Sequence, residues 1–78
     1  MRHLAKRSFA LGGHRTSVAL EAEFWAALEG LAERRGLRLS ALVAQVDAGR
    51  AAVSVPLASA LRVLALASAM LDGPIKRA

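Results

Sequence analysis

The sequence predicts a small, mainly α-helical fold with a short β-ribbon at its amino end. Three observations lead there. The chain has 78 residues and no cysteine, so it makes one domain held by its core or by a partner, without disulfides or thiolate metal sites. Residues 15–20 alternate polar and apolar with the period of a half-buried strand. From Glu21 onward the apolar residues recur every three or four positions, the period of an amphipathic helix.

The first element is Arg15-Thr16-Ser17-Val18-Ala19-Leu20. Upstream, Phe9 and Leu11 alternate in the same way, and Gly12-Gly13 lies between the two runs. A two-residue glycine turn closes a hairpin. In that register Leu11 opposes His14 and Phe9 opposes Thr16, so Phe9, Leu11, Val18 and Leu20 share one face. Residues 1–13 are therefore either a first hairpin strand or a basic arm. A lone strand at 15–20 has no sheet to join within its own chain and pairs with a second copy.

Residues 14–50 read as the core unit. A helix is expected over Glu21–Arg35, with Phe24, Trp25, Leu28, Leu31 and Ala32 on its inner stripe. Glu21 and Glu23 sit at the positive end of its dipole, Arg34 and Arg35 at the negative end. Gly36 ends it as a C′ glycine. Ser40 is the expected N-cap of a second helix, Ala41 to about Ala48, whose inward residues are Leu42, Val43 and Val46. Gly49 and Pro56 bracket a break. Residues 51–73 hold an additional apolar helix, about Leu57 to Leu71, and 74–78 a basic tail. That helix has two apolar stripes, one through Leu57, Leu61, Leu64 and Leu71 and one through Val63, Leu66 and Met70. A surface helix needs one such face, so two imply packing or oligomerisation against a partner.

The formal net charge is +5, unevenly spread. Residues 1–15 hold Arg2, Lys6, Arg7 and Arg15 with no acid, whereas 16–50 is close to neutral. A basic arm beside a neutral body suits a polyanion such as nucleic acid, or serves as a solubilising tail. Residues 51–71 are apolar but carry Arg62 near their centre, a cost of about 2.5–3.5 kcal/mol in a membrane, so no membrane partner is expected. No secretory signal precedes the domain, which gives a cytoplasmic expectation. His3 and His14 alone make no zinc site, neither has an acid at motif spacing, and Gly12-Gly13 lacks the rest of a phosphate loop. No enzyme, metal or cofactor is expected.

The order strand, helix, Gly36-Leu37-Arg38-Leu39-Ser40-Ala41-Leu42-Val43, helix resembles the ribbon-helix-helix DNA-binding family, which includes the Arc and methionine repressors. Lys6-Arg7-Ser8-Phe9, Gly13-His14-Arg15-Thr16-Ser17-Val18 and Glu23-Phe24-Trp25 are similar to small bacterial single-domain members. The resemblance covers residues 6–66. It implies a homodimer, or higher, whose strands pair antiparallel between chains and enter the major groove of double-stranded DNA, as in a small transcriptional regulator.

On that resemblance Arg15, Ser17 and Ala19 face the bases, and Leu39, Ser40 and Ala41 anchor a phosphate at a helix amino end. Lys6 and Arg7, just outside the reading strand, neutralise phosphates. The expected dimer core is Thr16, Val18, Leu20, Phe24, Trp25 and Leu28, with Leu42, Val43, Val46, Leu61 and Leu64. The chain departs from the family where Ala19 replaces an often polar residue and where the second helix breaks near Gly49. The alternative is an interaction or oligomerisation module, antitoxin-like or an assembly component, that does not read DNA and binds another protein through its apolar last helix. Two hairpins side by side would make a sheet wider than the groove, so either the arm peels away to bind phosphates or DNA is not read in the family way.

Overall fold

The structure, a computed structural model, describes residues 3–50 and 55–72. The basic tail at 74–78 and Arg2 lie outside the described residues. Strands β1 (Leu4–Leu11) and β2 (His14–Glu21) form an antiparallel hairpin, followed by helices α1 (Ala22–Arg34), α2 (Leu39–Gly49) and α3 (Leu57–Asp72).

Gly12 and Gly13 make the hairpin possible. Their φ values are +56° and +84°, and two consecutive positive φ angles define the tight turn whose twist matches the flanking strands. The register is the expected one, with Leu11 opposite His14 and Phe9 opposite Thr16. Residues 4–11 are thus a strand, not an arm. The argument that β2 must find its partner in a second copy fails, because the glycine turn returns β1 alongside it over eight paired positions.

Helix α1 ends as the sequence implies. Gly36 has φ +69°, and the Gly36 and Leu37 amides donate to the Glu33 and Ala32 carbonyls at 3.0 and 2.8 Å, a Schellman closure. Helix α2 differs from expectation. Its N-cap is Arg38, with no side-chain capping bond. The Ala41 and Leu42 amides both reach the Arg38 carbonyl, at 3.0 and 3.1 Å, so Ser40 lies inside the first turn and is not the cap. Leu39, half-buried against the core, starts the helix earlier than Ser40 would.

Val18 and Leu20 from the ribbon meet Trp25 and Leu28 from α1, Leu42 and Val43 from α2, and Leu61 from α3, all buried within a single chain. Thr16, Phe24, Val46 and Leu64 are half-buried around them. The residues expected to need a dimer therefore already form this chain's own core or its rim. The surplus apolar surface lies on α3 instead. Its inner side is Leu57, Leu61, Ala65 and Ser68, and its outer stripe exposes Val63 (67%), Leu66 (56%) and Met70 (63%). Buried Ser68 accepts a hydrogen bond from Arg34 Nη2 at 2.8 Å, which satisfies it. Among the described residues no helix is long and apolar enough to cross a membrane.

Two substitutions check this assignment. Leu20→Ala, at a fully buried site, is expected to cost about 2–5 kcal/mol in urea unfolding. Ser40→Ala is expected to cost less than about 0.5 kcal/mol, as at an ordinary surface site, whereas a true cap would lose about 1 kcal/mol.

Candidate nucleic-acid interface

In an antiparallel pair, directly opposed residues point to the same side of the sheet and neighbours along a strand to opposite sides. With Phe9, Leu11, Val18 and Leu20 buried, the rungs Lys6–Ala19, Ser8–Ser17 and Ala10–Arg15 face away from the helices. Lys6, Ser8, Ala10, Arg15 and Ser17 are exposed, and Ala19 is half-buried. The two serine hydroxyls lie 3.0 Å apart across the middle rung. Lys6 and Arg15 make no ion pair or side-chain hydrogen bond among the described residues.

This face is basic and nearly free of acid. The one carboxylate at its margin, Glu21 opposite Leu4, is held by Arg62, whose Nη2 and Nε lie 3.1 and 3.2 Å from Oε1. Arg62 also stands 5.9 Å from the Phe24 ring centroid. Glu21 is thus neutralised from the helical side, leaving Lys6 and Arg15 to set the potential of the outer face. The small alanines and serines between them keep it low enough for a second surface to approach.

Lys6 and Arg7, given one role from the sequence, part company here. Arg7 opposes Val18 and so belongs to the inner side. Its guanidinium sits 5.0 Å from the Trp25 ring centroid and its Nη1 lies 2.6 Å from Glu29 Oε2. Arg7 is thus paired and stacked within its own domain, whereas Lys6 is not so held among the described residues.

At the amino end of α2, Leu39 and Ser40 are the first helical residues, whose amides have no intrahelical acceptor. The Ala41 amide is used by the Arg38 carbonyl. Arg38 is exposed and forms no ion pair among the described residues. His14 is exposed beside the glycine turn. Among the described residues no group of three His, Cys, Asp or Glu gathers as a metal site.

Ser8 and Ala10 are the outward residues that sequence reasoning missed. The signal was present, because a register opposing Leu11 to His14 also opposes Ser8 to Ser17 and Ala10 to Arg15.

A family model described as a ribbon-helix-helix domain matches residues 4–69. No curated protein matches the chain, nor does any solved structure.

The separation of Lys6 from Arg7 has a measurable consequence for stability. Arg7→Ala removes a half-exposed ion pair and a cation–π contact and is expected to cost about 1 kcal/mol in urea unfolding. Lys6→Ala is expected to stay within about 0.5 kcal/mol of the parent. Equal losses for the two would show that they share one environment.

Proposed function

This chain belongs to the ribbon-helix-helix family, whose members generally serve as DNA-binding regulators, and on that premise we propose that it is a small transcriptional regulator that reads duplex DNA through the outer face of its hairpin. The observation that carries this reading is the pair of cations, Lys6 and Arg15, that have no partner among the described residues and share an exposed face on which the described acid, Glu21, is held by Arg62.

Arg15 donates two hydrogen bonds to a guanine edge, Ser17 donates or accepts one, and Ala19 meets a thymine methyl. Lys6, two outward rungs farther from the turn than Arg15, neutralises a backbone phosphate. A second phosphate suits the Leu39 and Ser40 amides with Arg38 beside them, where the helix dipole favours an anion. The chemistry is binding, with no catalytic step and no cofactor.

The exposed stripe of α3 favours a second contact. Val63, Leu66 and Met70 lie at helical spacing with no charge among them, and a copy of the same stripe, crossing it about a two-fold axis, covers it without stranding a charge. Under this reading the homodimer forms through α3 and leaves both hairpins clear. Leu66→Glu is expected to turn a dimer into a folded monomer by sedimentation. An unchanged dimer would place the contact elsewhere, and a monomeric parent would remove it.

The DNA reading is tested by gel shift on duplex selected from a random pool. Arg15→Ala is expected to weaken binding by about 1–3 kcal/mol and to relax preference at one base pair, with an unchanged melting temperature because Arg15 has no partner to lose among the described residues. Lys6→Ala is expected to weaken binding on all sequences and to make the salt slope shallower by about 0.9 per chain. A parent that retards no duplex even at low salt would sink the proposal in favour of an interaction module.

A further inference from the structure

A ribbon that enters a groove needs two strands. In this chain both are present already, since β1 pairs with β2 along its whole length. Strand β2 has one edge left, and a second copy pairing there would build a sheet of four. Four strands span three gaps of about 4.7–4.9 Å, or roughly 14 Å of backbone before side chains are counted. The major groove is about 12 Å wide and admits a two-stranded ribbon.

Freeing β2 for an intermolecular ribbon would require β1 to leave. That exposes Phe9 and Leu11, which are 8% and 5% exposed in the hairpin. It also breaks the bond of 2.7 Å from Trp25 Nε1 to the Ala5 carbonyl and the Arg7–Glu29 pair at 2.6 Å. The hairpin is anchored to α1, not laid loosely against it.

Resting on the DNA-binding reading above, we infer that each chain inserts its own hairpin into the major groove as a complete ribbon. The reading set is then Ser8 from β1 with Arg15 and Ser17 from β2, and Lys6 beside them on a backbone phosphate, four side chains of one chain. It is not one strand from each of two chains. The rungs Lys6–Ala19, Ser8–Ser17 and Ala10–Arg15 lie about 6.6–6.8 Å apart along the ribbon and cover about four base pairs. The serine pair is the middle rung. One hydroxyl donates to the other, which leaves one hydrogen and the remaining lone pairs for base edges. The cations stand on opposite strands at the two ends, each beside an alanine that leaves room to extend. Ser8 is thereby a specificity-determining residue equal in standing to Ser17.

The absence of cysteine from the chain makes a direct test possible. Leu4 and Glu21 form the rung beyond Lys6–Ala19, outside the reading set, and Cα atoms so paired lie within disulfide range. The full-length Leu4→Cys/Glu21→Cys variant is compared, oxidised and reduced, on duplexes selected by the parent from a pool with a randomised 12-base-pair core. The locked hairpin is expected to bind as tightly as the reduced form, within about twofold. In a second measurement Ser8→Ala is expected to lose roughly threefold to tenfold in affinity and to change the sequence selected at one position. Binding that vanishes on oxidation and returns with reductant would overturn the inference and leave DNA binding intact, since β1 must then peel away. A Ser8→Ala variant with the parent's affinity and sequence preference would overturn it too. A parent that enriches no duplex from the pool would remove both this inference and the reading beneath it.

Discussion

The indole of Trp25, on α1, is 1% exposed, and much of the chain's geometry follows from what surrounds it. Its N–H donates to the Ala5 carbonyl of β1 at 2.7 Å. The Phe9 ring lies 5.8 Å away, centroid to centroid, tilted by 39°. Arg7 covers its other surroundings from 5.0 Å and continues to Glu29 on the next turn of α1. A bulky aromatic is useful here because one side chain provides apolar area, a ring face for a cation and a polar handle. Together these contacts fix which side of the hairpin is inside. Once Phe9 and Arg7 face α1, strand alternation sends Lys6, Ser8, Arg15 and Ser17 outward.

The same anchoring explains how so short a chain buries a core without disulfide or metal. A two-stranded hairpin alone is marginal in water and needs packing against a helix. Here all three helices pack beneath it, α3 through Leu57, Leu61 and Ala65. Arg62 and Arg34, from α3 and α1, stitch this layer to Glu21 and Ser68. Such partly exposed pairs add little energy each. Their larger effect is on register, because they match particular turns of α3 to particular turns of its neighbours.

The arginines divide into two populations with different work. Arg7, Arg34, Arg50 and Arg62 are bound within the domain, Arg50 to Asp47 and to the Val55 carbonyl across the end of α2. Arg15, Arg35 and Arg38, with Lys6, make no such contact among the described residues. A cation at a helix N-cap, as Arg38 is, opposes the helix dipole. Local rules are broken mostly at functional sites, which agrees with the phosphate contact proposed for this end of α2. The net positive charge therefore overstates what a polyanion would meet over most of the surface, and understates its concentration on one face of the ribbon.

The sequence by itself determined what depends on near neighbours. The Gly12-Gly13 turn, the period-two alternation and the Gly36 helix stop were all legible, because each is set by the backbone freedom or face preference of a few adjacent residues. The hairpin's buried face followed from them, and so did the Ser8–Ser17 rung once the register was drawn. Even Ser40 shows the limit of local reasoning, since its capping chemistry was outweighed by the burial of Leu39 one residue earlier. Only the tertiary structure decided which cations are tied and which are free. Arg7 and Lys6 are adjacent and chemically alike, and what separates them is Glu29, 22 positions away. Glu21 is silenced by Arg62, 41 positions away. It decided likewise which of two equally apolar stripes of α3 is buried. A helix period marks that a face is apolar, but which face turns inward depends on where α1 and the hairpin stand.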